Sequence, residues 1–450
     1  MDSVGAALGG RQWTVNDYTR AFANDEAMGV RWAYVWVSWS DIQTAPGYYG
    51  WAGLDSLVAA AHQHGVQLML QVQTAGDFVA PGPVQLAATG GTRVNSLHPM
   101  FPSAAPKRFD GPLAFWRALA IRYRPDGDLA RAMRWPDYGV KWFEIENEPD
   151  SLPWPTGNWS TVPKDYALYV AAVKATLRSV SPSLRTVGPA LSTGPDSAGC
   201  CNGLSWLAQV LGASRDSTAM QWASDDYRAA VKGGQAVVGA GPYLDAVSFH
   251  DDFYDPATTY GVDRANAVRK VTTGAGLANP VLWETEGGPV ETNSALYARA
   301  QAQETVRLLA NGVQRINLDT AGARGDDTRA LSTDPIAREV KALTFAFPEA
   351  VGVRSRTAEL TAGAGRAVEA YSWTDPATGL TSWIAWAPNY ARNSRQVGQP
   401  FAVRIPAHTA HARVIGADWT PRDVRVTGGS VDVQLQSGDP SPVTFIVELP

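Results

Sequence analysis

The sequence predicts an α/β fold, a (β/α)8 TIM barrel followed by a C-terminal all-β sandwich. Three observations predict it. From residue 1 to about 345, strand-like and helix-like runs alternate, the mark of βαβ units in a parallel sheet. Eight such units fit that length, since a barrel needs ~250 residues and tolerates insertions. After Phe347-Pro348 the pattern changes to short alternating runs split by turn residues, as in a sandwich.

Each element has its own signal. Val4–Leu8 is the first strand. Asn16–Met28 is an amphipathic helix, broken at Gly29, and the β-rich run Arg31–Trp39 follows. Leu54–His64 is helical and Gly65 closes it, as a residue suited to the left-handed C-cap. Val66–Val72 is the third strand, Leu113–Tyr123 a helix and Val140–Ile145 the fourth strand. Asp165–Val180 is a helix stopped by Ser181-Pro182. Leu184–Val187 and Asp245–His250 are strands five and six. Arg264–Val271 is a helix with Asp263 as its N-cap. Pro280–Trp283 is strand seven, Leu296–Asn311 a helix and Val313–Leu318 strand eight. The sandwich strands are Ala367–Trp373, Thr381–Trp386, Phe401–Ile405, Ala412–Ile415, Val431–Leu435 and Val443–Leu449. The expected division is a barrel over residues 1–345 and a sandwich over 346–450, tied to it because no Gly/Ser-rich or Pro-rich linker intervenes. A doubly wound open sheet would carry a Gly-rich phosphate loop after strand one, and Gly9-Gly10 does not make one.

Composition narrows the function. Of 450 residues, 45% are hydrophobic and 18% charged, ordinary for a globular chain. A net charge of −5 argues against nucleic acid as a partner. No apolar run of ~18 residues is present to span a membrane. Met1 is not followed by a basic and then apolar leader; location stays open, with a secreted or periplasmic one favoured. The 17 Trp, 15 Tyr and 12 Phe include many in apparent loops, among them Trp39, Tyr48, Tyr49, Trp51, Trp154 and Trp159. Flat aromatic faces suit the C–H faces of sugar rings, although packing is the commoner role for any single one.

Two strand ends carry the chemistry. Trp142-Phe143-Glu144-Ile145-Glu146-Asn147-Glu148-Pro149 is a strand ending in Asn-Glu-Pro. Barrel enzymes place catalytic groups at the C-terminal ends of strands, so Glu148 stands where chemistry happens. Pro280-Val281-Leu282-Trp283-Glu284-Thr285-Glu286-Gly287-Gly288 is a second such end. Carboxylates at the mouths of strands four and seven face each other across the barrel axis. Glycoside hydrolysis needs that arrangement, one group to protonate the departing oxygen and one to attack the anomeric carbon. Period-2 geometry puts Glu144, Glu146 and Glu148 nominally on one face. Three carboxylates cannot all be ionised there without partners, so a nearby Arg or raised pKa values are expected. A raised value serves an acid catalyst.

These residues make the chain resemble a clan A glycoside hydrolase, most similar in layout to glycoside hydrolase family 39 and its relatives. Gly29-Val30-Arg31-Trp32, Trp39-Ser40-Asp41-Ile42, Gly50-Trp51 and Leu54-Asp55 are similar to the clan's second-strand region. Tyr166-Ala167 through Ser181-Pro182 looks like its fourth helix. Trp283, Thr285, Glu286 and Gly288 match a Trp-x-Thr-Glu-x-Gly pattern. The resemblance covers about residues 20 to 320. It implies Glu148 as acid/base, Glu286 as nucleophile with Glu284 as rival, Asn147 as the residue holding the substrate 2-hydroxyl, and His250 beside the nucleophile. It also implies a sandwich packed on the barrel and a glycoside, oligosaccharide or polysaccharide substrate, with no cofactor. The clan's usual second-strand Arg is Tyr34 here, a candidate donor to the nucleophile. The usual Trp before Asn147 is Glu146, and the usual aromatic on strand eight is absent from Asn317-Leu318-Asp319. Trp39, Trp154 and Tyr254 are further substrate-binding candidates. A catalytically inactive sugar-binding protein and a transglycosylase are the alternatives on the same fold.

Other constellations are weaker. His62 and His64 lie two apart on a helix and share no face, so no metal site is expected there. Asp251, Asp252 and Asp255 are better read as a solvated loop touching substrate than as a calcium site. No Gly-x-Ser-x-Gly marks a serine nucleophile, and Lys232-Gly233-Gly234 lacks phosphate-loop spacing. Cys200 and Cys201, the two cysteines of the chain, are adjacent in the loop after strand five. Neighbouring Cα atoms at ~3.8 Å fall below the usual disulfide range of ~4.4–6.8 Å. A bond between them is therefore strained, and strain of that kind persists at functional sites. Two free buried thiols and a vicinal disulfide forming a rigid platform near the sugar are both open.

Overall fold

The structure, a computed structural model, describes residues 4–8, 14–45, 47–74, 110–150, 163–192, 203–212, 243–254, 260–277, 279–289, 293–319, 333–348, 352–360, 367–388, 398–438 and 440–450. Eight parallel strands close into a barrel: β1 Val4–Leu8, β2 Trp32–Ser38, β3 Gln67–Gln73, β4 Trp142–Ile145, β5 Arg185–Leu191, β6 Ala246–Tyr254, β7 Leu282–Pro289 and β8 Val313–Asp319. β1 pairs with both β2 and β8, which completes the ring. The helices that follow each strand are α1 Val15–Met28, α2 Ala52–Gln63, α3 Asp110–Tyr123, α4 Pro163–Val180, α5 Gly203–Gly212, α6 Tyr260–Gly274, α7 Ser294–Ala310 and α8 Pro335–Ala346.

Local chemistry explains the boundaries. α1 starts at a capping box, with Thr14 and Asp17 bonding each other's backbone. This satisfies two of the amide groups a helix start leaves open. It ends at Gly29, at φ +82°, where a residue without a Cβ takes the left-handed turn freely. Two helices, α5 and α8, escape the sequence reading. α6 begins at Tyr260, four residues before the start that Asp263 as N-cap requires, so Asp263 lies within its first turn.

Strand alternation builds two cores. On β2, Ala33, Val35 and Val37 face outward into the helix layer, whereas Trp32 and Tyr34 face into the barrel. Met69, Trp142, Val187, Ala246 and Trp283 join Trp32 to fill the barrel interior. Arg315 of β8 lies over the Trp32 ring at 3.9 Å and the Trp283 ring at 4.7 Å. A guanidinium buried this way gains attraction from the ring faces.

The C-terminal region has strands β9 Glu369–Thr374, β10 Thr381–Trp386, β11 Pro400–Pro406, β12 His411–Ile415, β13 Pro421–Arg425, β14 Ser430–Gln436 and β15 Val443–Leu449. β9, β10, β12, β13 and β15, with the two-residue strand Arg354–Ser355, form a six-stranded sheet, and β11 pairs with β14. The period of two assigns the faces. Trp383, Ala385 and Ile446 pack toward Val403, Ile405, Val431 and Val433. Ile384, Trp386, Val443 and Phe445 turn the other way, into the apolar core shared with α7 and α8. Across that contact, Arg307 of α7 grips Glu369 of β9 through two bonds at 2.8 and 2.9 Å. Gln303 donates to the Ser441 carbonyl at 2.8 Å.

Candidate active site

The site is built in layers up the barrel axis. Above the aromatic floor, the inward positions turn polar: Tyr34, Gln71, Glu144, Ser248, Thr285 and Asn317. All six are buried. Gln71 donates to Glu144 Oε2 at 2.9 Å. Burial pushes the Glu144 carboxyl above its ordinary value, opposed by His250 and by the hydroxyls of Ser248 and Thr285.

At the top, β4 ends at Ile145 and the chain turns sharply. Glu146 and Glu148 adopt φ +63° and +44°, conformations costing about 1–3 kcal/mol each for such residues. This overturns the expectation that Glu144, Glu146 and Glu148 share a face. Alternation ends with the strand. Glu146 turns outward, where Oε1 accepts from the Thr74 amide at 2.9 Å and the Thr74 hydroxyl at 2.6 Å. That hydroxyl also meets Tyr169 of α4. Glu148 comes back over the barrel mouth. Its amide bonds the Ala190 carbonyl at 3.2 Å. Asp150, two residues on, is buried and accepts from the Ser192 amide, the Ser192 hydroxyl and the Gly203 amide at 2.9, 2.8 and 3.1 Å. It therefore ties the loop carrying Glu148 to the end of β5 and the start of α5.

On β7 a bulge decides which glutamate enters the barrel. Phe249 and His250, adjacent on β6, pair with Glu284 and Glu286. Ile316 and Leu318 on β8 pair with Glu284 and Gly287. One extra residue on β7 lets both Thr285 and Glu286 face inward. Glu284 shares its outward register with Phe249 and Ile316, which belong to the helix-layer core. Asn317 steadies the bulge by donating to the Thr285 carbonyl at 3.0 Å.

The two inward glutamates meet at His250. Its Nδ1 lies 3.0 Å from Glu148 Oε1 and 3.9 Å from Glu286 Oε2. These oxygens are no farther apart than those two distances laid end to end. Both carboxylates keep partial access, with side chains 22% and 30% exposed, while His250 is fully buried. Tyr34 donates to Glu286 Oε2 at 2.8 Å and accepts from the Trp36 indole. Burial first, and then Glu286, push the Tyr34 phenol well above its ordinary pKa, so it stays protonated and remains a donor. Asn147, beside Glu148, accepts from Gln71 at 2.9 Å.

The structure therefore brings together Glu148, Glu286, His250, Tyr34 and Asn147. Trp39 is not among them. It sits in the short helix Trp39–Ile42, is 5% exposed, and packs against Phe115 at 6.3 Å with its indole bonded to Gln43. Its bulk serves the core rather than the rim. Asp251 is also corrected. It is buried rather than solvated, and its carboxyl and that of Glu304 converge on Gly261 at the start of α6, where any Cβ would lie 2.0 and 2.3 Å from them. Tyr254 ends β6, its side chain outside the described set, and Trp154, Cys200, Cys201, Asp252 and Asp255 have no described side chain. Among the described residues no cluster of three metal-ligating side chains occurs, and no helix is long and apolar enough to cross a membrane. Sequence reasoning missed Gln71 and Trp36. A polar residue at an inward position of the otherwise apolar Leu68–Val72 run was the available signal for Gln71.

No family model and no curated protein matches this chain. Solved structures do. A family 39 glycoside hydrolase from Bacteroides cellulosilyticus superposes with a TM-score of 0.58 at 14% identity, covering 99% of this chain and 81% of that one. A monomeric beta-xylosidase from Caulobacter crescentus gives 0.58 at 13%, covering 100% and 97%. A family 30 endoxylanase from Clostridium papyrosolvens gives 0.57 at 13%, covering 100% and 97%. At such identities the likeness is one of fold: a barrel with an appended β-domain.

Proposed function

We propose that this protein is a retaining glycoside hydrolase, with Glu148 as general acid/base and Glu286 as nucleophile. One observation carries the reading: carboxylates from the turn after β4 and from the bulge in β7 approach the same imidazole nitrogen at 3.0 and 3.9 Å. Retaining enzymes hold their carboxyls ~5–5.5 Å apart, whereas inverting ones need ~6.5–9.5 Å to admit a water. The bound set by His250 reaches only the lower edge of the inverting range. The fold neighbours, described as a glycoside hydrolase, a xylosidase and an endoxylanase, support a carbohydrate substrate of the glycoside, oligosaccharide or polysaccharide class.

The chemistry follows from the partners. Tyr34 keeps a hydrogen bond on Glu286 and so favours its ionised, nucleophilic form. Glu286 attacks the anomeric carbon as the glycosidic C–O bond breaks, and Glu148 gives its proton to the departing oxygen. Water then attacks the glycosyl–enzyme, Glu148 takes a proton from it, and Glu286 leaves as carboxylate. Asn147 meets the sugar 2-hydroxyl. No cofactor is required by these steps.

The test is a panel of aryl glycosides, with the first-formed sugar read by proton NMR. The expected product keeps the substrate's anomeric configuration. Inversion, or cleavage of no member of the panel, refutes the reading. Glu148→Ala should slow substrates with basic leaving groups by ~10²–10⁴-fold, the usual weight of general acid catalysis, and activated ones far less. Equal losses on both would remove Glu148 from the acid role.

A further inference from the structure

We propose that Gln71 is a positioning residue that fixes which end of the Asn147 amide faces the sugar, with Glu144 setting the direction. The inference rests on the proposed glycosidase reading and deepens it by assigning the polarity of one substrate contact.

Gln71 projects from β3 into the barrel and is fully buried. Its Nε2 lies 2.9 Å from both Glu144 Oε2 and Asn147 Oδ1. An amide nitrogen has two hydrogens, and these two acceptors use both. Among the described residues its Oε1 has no hydrogen-bond partner, so the orientation of Gln71 is set by its nitrogen. Reversing it would put a carbonyl oxygen against Glu144 and remove one of the donors, with the Ser248 and Thr285 hydroxyls and His250, that favour the ionised, accept-only carboxylate against its burial.

The consequence passes to Asn147. Its Oδ1 is held by Gln71, so its Nδ2 is the end left for the pocket beside Glu148. A sugar hydroxyl there accepts from Asn147 and keeps its own hydrogen for Glu286. On the proposed reading that hydroxyl is the sugar 2-hydroxyl, the contact that the resemblance assigns to Asn147. A substituent that cannot accept, such as an ammonium group, is disfavoured, because Asn147 cannot turn to offer its oxygen without breaking the bond from Gln71.

The experiment compares wild type, Gln71→Met, Asn147→Ala and the double variant on the best-cleaved aryl glycoside and its 2-deoxy analogue. Methionine keeps the length of Gln71 and removes its donors. Gln71→Met should lower kcat/KM on the parent glycoside by ~10–100-fold, the size of effect small misplacements produce. It should leave the 2-deoxy substrate within ~3-fold, and add nothing to Asn147→Ala, as expected of residues acting as one unit. Equal losses on both substrates overturn the proposal. A neutron structure of the wild-type protein reads the same point without activity or substitution. Deuterium on the Asn147 nitrogen facing the pocket supports the assignment, and the reversed amide refutes it. Failure of the whole glycoside panel would count against the glycosidase reading, while the neutron map would still decide the amide.

Discussion

The phenol of Tyr34 on β2 donates a 2.8 Å hydrogen bond to Glu286 on β7, across the barrel from a strand 252 residues away in sequence. The phenol is buried and held well above its ordinary pKa, so it remains a donor throughout the neutral range. A donor to the ionised carboxylate lowers the carboxylate's pKa. Tyr34→Phe should therefore move the acid limb of the kcat/KM profile upward. An unmoved limb would remove Tyr34 from the nucleophile's support.

Glu284 and Glu286 separate by location. Glu286→Ala should lose turnover by at least ~10⁴-fold, in keeping with the removal of a nucleophile, and added azide should restore glycosyl release as an azide of inverted configuration. Glu284→Gln sits outside the barrel wall and should act on thermal stability while leaving the pH profile in place. If Glu284→Gln is the inactive protein and Glu286→Gln turns over normally, the assignment is reversed.

Glu304 gives stability a pH dependence. Burial raises its carboxyl from 4.5 to about 7, against the pull of Arg307. A folded-state value above the unfolded one means the native protein binds the proton more tightly. The contribution is fully present below about 4.5 and lost as pH rises through about 7. Across that window stability should fall by up to ~1.4 kcal/mol per pH unit from this group. Glu304→Gln should flatten the slope in urea titrations taken at successive pH values. The same slope in the variant would assign it elsewhere.

Arg307 and Glu369 join barrel to sandwich. Both are mostly buried, with side chains 10% and 24% exposed, and Glu369 is held below the ordinary carboxylate range despite its burial, by Arg307, Tyr371 and Trp386. Arg307→Met should cost ~3–5 kcal/mol, as removal of one partner of a buried pair does. A chain ending at residue 346 should aggregate, because it bares the face of α7 and α8 that Phe445 and Trp386 cover. A soluble and fully active truncated chain would show that the barrel needs no sandwich.

By itself the sequence determined the order of the eight barrel strands and which two of them, the fourth and the seventh, lead to the proposed catalytic glutamates. Barrel strands declare themselves through apolar runs bounded by Gly and Pro, and Asn147-Glu148-Pro149 follows such an end because the strand-to-loop change is a local event, whereas Thr285 and Glu286, expected just past a strand ending at Trp283, lie within β7, which runs on to Pro289. Tertiary structure alone decided the rest. A period of two places Glu284 with Glu286 and Glu144 with Glu146 and Glu148. The bulge on β7 separates the first pair, and the left-handed residues after Ile145 separate the second set. A bulge exists only as a mismatch in register with neighbouring strands, here β6 and β8, so the Gly287-Gly288 pair within β7 can hint at one but cannot fix which residue is extra. The same holds for Tyr34 on Glu286 and Gln71 on Asn147. Ring closure brings such residues within hydrogen-bond reach, and the barrel's curvature, a property of all eight strands together, sets their distances.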